Sequence, residues 1–244
     1  MAPDTLTLAA KCRPDAMRLA AVRDAGIEAV ELYTNAEIIA QPDDAFRVCG
    51  NAGLRYSVHA PTVGHDSRGL RVFVDTIGAE FLVLHDIYFE DEWREIAQTF
   101  SGCAARVCVE NSTSIHQPLK FMRRYGFGLC LDMEHLQLEI CGVFDEEFRP
   151  FAHTATYVHL TGYKFGTELW HVQLHKNPEH SRRMLDMLYE SNYRGWVVSE
   201  ARLSQQTAGE FAQLQKFFTE WSENATGSAL NSQLSTSNRG KAVP

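Results

Sequence analysis

The chain has 244 residues, is 45% hydrophobic and 11% aromatic, and carries a formal net charge of -8. That is apolar material for one sizeable core and too much for a disordered chain. The acidic balance, with no block of Lys or Arg, argues against a protein that grips nucleic-acid phosphates, and no run approaches the roughly 20 apolar residues needed to cross a bilayer.

Short apolar runs rich in β-branched residues recur along the chain and predict strands at Thr5–Ala10, Ala29–Thr34, Tyr56–Ala60, Phe81–Asp86, Arg106–Asn111, Gly128–Asp132, Tyr157–Thr161 and Trp196–Glu200. Several are apolar on both faces, as strands of buried parallel sheets are. Amphipathic stretches lie between them, at Pro14–Ala25, Asp43–Ala52, Arg68–Gly78, Glu90–Phe100 and Pro178–Ser191. Pro14 and Asp15 suit a helix start, and Gly26 and Gly53 suit left-handed helix ends. Strand–helix alternation with about eight repeats and right-handed crossovers predicts a single (β/α)8 barrel over an open sheet. The barrel should occupy residues 1–222, with the Ser-, Asn- and Gly-rich residues 223–244 as a disordered tail.

Cys12, Cys49, Cys103, Cys108, Cys130 and Cys141 are scattered, form no CxxC pair, and several sit inside apolar runs. They read as free thiols of a reducing compartment. The N-terminal MAPDTLTLAAKCRPDAM has no basic start followed by a sustained apolar run. A soluble, cytoplasmic protein is expected, with a homo-oligomer left open.

The informative pattern is the position of the ionisable residues. His59 ends YSVH, His85 ends FLVLH, Glu110 ends RVCVE, Asp132 ends GLCLD, His159 sits in YVHL and Glu200 ends WVVSE. Barrel active sites are built at the C-terminal ends of the strands. A single acid or His there is usually a helix cap or a satisfied polar group, but six on consecutive strands would repel one another without a cation. Glu110, Asp132, His159 and Glu200 offer three carboxylates and an imidazole, a set that suits one divalent ion of Mn, Co, Mg or Zn and leaves positions open for substrate. His135, three residues past Asp132, should face the same mouth. Arg202, just past Glu200, is placed for hydroxyl or acidic groups, with a surface ion pair as the plainer reading.

These residues resemble the xylose isomerase-like barrels, which group sugar isomerases and epimerases with endonuclease IV. The resemblance spans roughly residues 5–222 and rests on SVHAP at His59, VEN at Glu110, LDMEH from Asp132 to His135, VHL at His159 and YRGWVVSE at Glu200. It implies one metal on Glu110, Asp132, His159 and Glu200, substrate contact by His135, and the two glutamates as an acid/base pair. Sugar isomerases of this type carry H-x-P-x-G-x-G before the last helix; here HVQLHKN keeps His171 and puts His175 and Asn177 in place of the glycines. The three-metal endonuclease branch would add His59, His85, His135 and His171 as ligands, but its remaining acid falls at Leu169, which cannot ligate. In the sugar branch His59 and His85 line the pocket.

The expected activity is therefore isomerisation or epimerisation of a small sugar, polyol or keto acid by proton abstraction. A dehydratase or lyase on the same site, a multi-metal phosphoesterase and a non-catalytic binding barrel are the alternatives. Tyr33, Phe89, Tyr163, Phe165 and Trp170 are candidates to stack on a sugar ring.

Overall fold

The structure, a computed structural model, describes residues 6–64, 66–143 and 145–239, with side chains to residue 225. Eight parallel strands close into a barrel in chain order: β1 Thr7–Cys12, β2 Ala29–Tyr33, β3 Arg55–His59, β4 Phe81–His85, β5 Arg106–Glu110, β6 Gly128–Asp132, β7 Tyr157–Leu160 and β8 Trp196–Ser199, with β8 returning to pair with β1. The helices are α1 Ala16–Asp24, α2 Ala36–Ala40, α3 Asp43–Ala52, α4 Ser67–Ile77, α5 Glu90–Thr99, α6 His116–Tyr125, α7 Met133–Glu139, α8 Asp145–Thr154, α9 Pro178–Glu190 and α10 Ala208–Arg239.

The expected strands hold except for the first, which runs two residues further than its apolar pattern suggests. Its predicted start, Thr5, lies outside the described residues. Pro14 stands before α1 rather than in it: Asp15 is the N-cap, its carboxylate accepting the Arg18 N–H at 2.9 Å. Gly26 and Gly53 take the left-handed conformation expected, with φ of 83° and 67°. The last helix continues to Arg239, well past the barrel end set at residue 222 and through most of the tail read as disordered. Residues 240–244 lie outside the described part. All six cysteines are free; Cys12, Cys49, Cys108 and Cys130 are buried.

Two apolar clusters divide the work of packing. The larger fills the layer between strands and helices, with Trp93, Phe73, Phe148 and Phe211 fully buried. The smaller lies inside the barrel and contains Ala9, Ala29, Val83, Cys108, Cys130, Tyr157, Trp196 and Val198, with Phe81 packed beneath. Strand side chains alternate with period two. The next inward position on each strand follows from that floor, to which β3 adds the buried hydroxyl of Ser57, and it is ionisable in all eight cases: Lys11, Glu31, His59, His85, Glu110, Asp132, His159 and, just past the end of β8, Glu200.

Candidate metal and active site

The polar ring stands directly on the apolar floor. The four predicted ligands come together: one donor atom each from Glu110, Asp132, His159 and Glu200 lies within 4.8 Å of every other. Nδ1 of His159 is 2.9 Å from Glu200 Oε2, 3.3 Å from Glu110 Oε2 and 3.8 Å from Asp132 Oδ2. Nδ1 of His135 completes the group at 3.5 Å from both Glu110 Oε1 and Asp132 Oδ2.

Each ligand is held from behind. Asp132 caps α7, its Oδ1 accepting the His135 N–H at 2.7 Å and so leaving Oδ2 for the mouth. Asn111 fixes the end of β6 at two points, accepting the Asp132 N–H at 2.7 Å and donating to its carbonyl at 3.0 Å. His59 has one ring nitrogen on the Ala60 carbonyl at 3.2 Å and Nε2 on Glu110 Oε2 at 3.0 Å. It is buried. His85 stands edge-on to His59 and 3.8 Å from Glu110 Oε1. These two imidazoles and Glu110 form a second group of donor atoms close enough to share an ion, and His59 belongs to a third with Glu31 and His159.

Two members of the ring were not singled out by sequence reasoning. Glu31 is fully buried and accepts from Nε2 of His159 at 2.8 Å. That contact makes Nε2 a donor to the Glu31 carboxylate and aims Nδ1 at the cluster, the carboxylate–histidine arrangement typical behind a metal. Lys11 bridges Glu31 Oε1 at 3.0 Å and Glu200 Oε1 at 2.5 Å. The signal was present in both cases, since LAAKC and AVELY each carry one charge in an otherwise apolar strand.

Electrostatics follow from burial and these contacts. Burial would raise Glu31, but His159 and Lys11 hold it down to about 2. Burial likewise opposes ionisation of Glu110 and Glu200; His159, joined by Lys11 at Glu200, keeps both well below the usual carboxylate range. Burial lifts Asp132 to about 6 against the pull of His135, with the Glu110 and Glu200 charges adding to the rise. Burial works against a charged His135, yet Asp132 and Glu110 carry it up to about 10. At His85 burial outweighs the opposing pull of Glu110 and takes it down to about 4. The crowded acids are thus balanced by ring protons, a charge that a divalent ion replaces on binding.

The fit to a metal rests on unpartnered atoms. Asp132 Oδ2, His159 Nδ1, Glu200 Oε2 and His135 Nδ1 are buried without a hydrogen-bond partner, and all four face one another. Buried polar atoms are rarely left so, and four converging on one point are what a cation satisfies.

Beside the cluster of candidate ligands opens a cleft of about 260 Å³ lined by Lys11, Arg13, Tyr33, His171, Glu200 and Arg202, among others. His171 is half-exposed with φ 43° and belongs to none of the close donor groups; its nearest acid is Glu134, at 3.8 Å. Arg202 makes no surface ion pair among the described residues; its guanidinium donates to the Trp170 carbonyl at 2.6 Å. Of the aromatic candidates, Tyr33, Phe165, Trp170 and Phe89 are exposed. Tyr163 is buried beneath Trp170, their rings stacked at 4.7 Å, and is not free to meet a substrate.

No protein-family model matches the chain, and no curated protein matches it. Solved structures do. The apo form of the 3-keto-D-glucoside 4-epimerase YcjR from E. coli superposes with a TM-score of 0.63 at 12% identity, covering 88% of this chain and 100% of that one. An L-ribulose 3-epimerase gives 0.61 at 15% identity, covering 92% and 97%. The phosphoribosylanthranilate isomerase of Thermotoga maritima gives 0.54 at 14% identity, covering 87% and 98%. At such identities the likeness is one of fold, and fold alone assigns no reaction. The chain has the (β/α)8 barrel that these enzymes share.

Proposed function

We propose that this protein is a metal-dependent isomerase or epimerase of a small hydroxylated carbonyl compound. The observation that carries the reading is the convergence of four unpartnered buried donor atoms, from Asp132, His135, His159 and Glu200, around Glu110. Glu110, Asp132, His159 and Glu200 would hold one divalent cation, whose Lewis acidity makes the C–H beside a carbonyl easier to ionise. The epimerases and isomerase that share the fold support this class of reaction.

The residues divide the remaining work. One of the two glutamates, ionised in this surrounding, takes the proton from the carbon; for isomerisation the same carboxyl, now protonated, gives it to the neighbouring carbon, and for epimerisation the other glutamate first takes up a proton from solvent and delivers it to the opposite face. Glu110 is held by His59, and Glu200 by Lys11, so each carboxylate keeps a fixed aim. His135, with its side chain 27% exposed beside the acids, donates to a substrate oxygen. The apolar floor of Phe81, Tyr157 and Trp196 closes the barrel from below and keeps bulk water from that side.

A second reading, a two-metal phosphoesterase, is favoured by one observation, the His59–His85–Glu110 group. Metal stoichiometry separates the two. Elemental analysis of freshly purified protein should give about one divalent ion per chain, lost in both Glu110→Gln and Glu200→Gln, and ketoses should exchange a carbon-bound proton with solvent deuterium. No bound metal under metal-replete conditions overturns the proposal. Two ions per chain, one of them lost in His85→Ala, would move the assignment to hydrolysis.

A further inference from the structure

We infer that the substrate carries a carboxylate, received by Arg13 and Arg202 at the cleft beside the metal cluster. This rests on the proposed function for the placement of the reacting carbon, but not for the anion site itself. Arg13, Arg202 and Lys11 line the cleft together, and the only carboxylate in its wall is Glu200, which the Lys11 ammonium already engages. Among the described residues no carboxylate comes within ion-pair distance of Arg13 or of Arg202, and the latter makes one hydrogen bond, to a carbonyl. The chain has 31 acids for 23 bases, so an arginine that needed only a structural partner had many to hand.

A neutral polyol asks its site for donors and acceptors in alternation. This side of the cleft offers two planar, permanently charged donor groups, which match an anionic oxygen pair in two-pronged fashion. An acceptor for a hydroxyl is present too, since Oε1 of Gln206 is buried without a partner while its amide donates to the Ala201 carbonyl at 3.0 Å. A hydroxy acid with its carboxylate toward the arginines and a hydroxyl toward Gln206 uses both.

Phosphate would offer the same charge, but barrels bind phosphate on free backbone N–H groups of the late loops. Here four of those amides, in the loop that follows β8, are taken within the chain. Glu200 N–H donates to the Leu160 carbonyl, Arg202 N–H to His171, Gln205 N–H to Arg202 and Gln206 N–H to Leu203. The cleft, about 260 Å³, also falls below the few hundred Å³ that drug-sized ligands occupy and fits a compact metabolite.

The test is calorimetric titration of the metal-loaded full chain with D-gluconate, with sorbitol, which has a hydroxymethyl group in place of the carboxylate, and with sorbitol 6-phosphate. The proteins are the wild type and the Arg13→Gln/Arg202→Gln double variant, with metal content measured on each. The wild type should bind gluconate at least about tenfold more tightly than sorbitol, the worth of one charge-assisted hydrogen bond. That ratio should collapse toward one in the double variant, while sorbitol affinity and metal content stay as they were. A gluconate preference that survives in the variant is chelation by the metal and overturns the inference, as does a failure of gluconate to bind. Tighter, arginine-dependent binding of sorbitol 6-phosphate overturns the choice of carboxylate. Arginine-dependent gluconate binding by a chain found to hold no metal would uphold the anion site and sink the proposed reaction instead.

Discussion

Replacing Glu31 by Gln tests whether the buried layer behind the ligands sets metal affinity. Gln keeps the volume and an oxygen that can accept the His159 Nε2–H, now at 2.8 Å from the carboxylate, but removes the charge. A hydrogen bond to a charged group contributes about 1.5–3 kcal/mol and a neutral one about 0.5–1.5, so about 1–1.5 kcal/mol of support for a metal-facing Nδ1 is lost. Lys11, left with Glu200 as its one ion-pair partner among the described residues, then competes harder for that carboxylate, which pushes the same way. Affinity should fall by about tenfold, within the range known for such positions. The assay is competition for Mn²⁺ or Zn²⁺ with a fluorescent chelator, with Glu139→Gln as control, because Glu139 braces Ser114 and the Ile115 N–H at the foot of α6 instead. Unchanged affinity in Glu31→Gln, alongside a clear loss in Asp132→Asn, would refute the claim that Glu31 orients His159.

Two further outcomes follow from burial elsewhere. His180, buried on α9, is taken from its ordinary 6.5 down to about 4 by burial, helped by the Lys164 and Arg183 charges. The unfolded chain therefore takes up this proton first: its contribution to stability is whole above about pH 6.5 and drains away as pH falls toward 4. Urea unfolding at pH 7 and 4.5 should show His180→Gln losing about 2 kcal/mol less than the wild type over that interval; equal losses would dismiss the reasoning. Trp93 of α5 is fully buried, 4.4 Å from the Phe121 ring and edge-on to Tyr88, so Trp93→Ala should cost about 3–5 kcal/mol in the same assay. Metal affinity of the folded protein should not change, since none of those ring contacts belongs to the polar ring.

Much of the architecture was legible because strands and helices of a parallel barrel write distinct periods into the chain. Runs such as FLVLH and GLCLD are too short and too apolar for surface helices, and their spacing leaves room for one crossover helix each. The same runs exposed His85, Glu110 and Asp132, because a charge that closes an apolar run stands out. Lys11 and Glu31 were hidden for the opposite reason. Their charges fall within β1 and β2, where a lone polar residue in a strand reads as an outward-facing one.

Sequence alone therefore determined the fold class, the order of the strands and most of the ionisable residues that ring the barrel mouth, since these depend on local period and on which end of a strand a residue occupies. Only the closed barrel decided which side of each strand faces inward. Parallel pairing of Lys11 with Glu31, His85 with Glu110 and Asp132 with His159 brings residues far apart in the chain to one level above the apolar floor. The chain cannot announce that register, because it is set by the shear and closure of eight strands together. It turns Glu31 toward His159 and Lys11 toward Glu200, and places Arg13 and Arg202 on one wall.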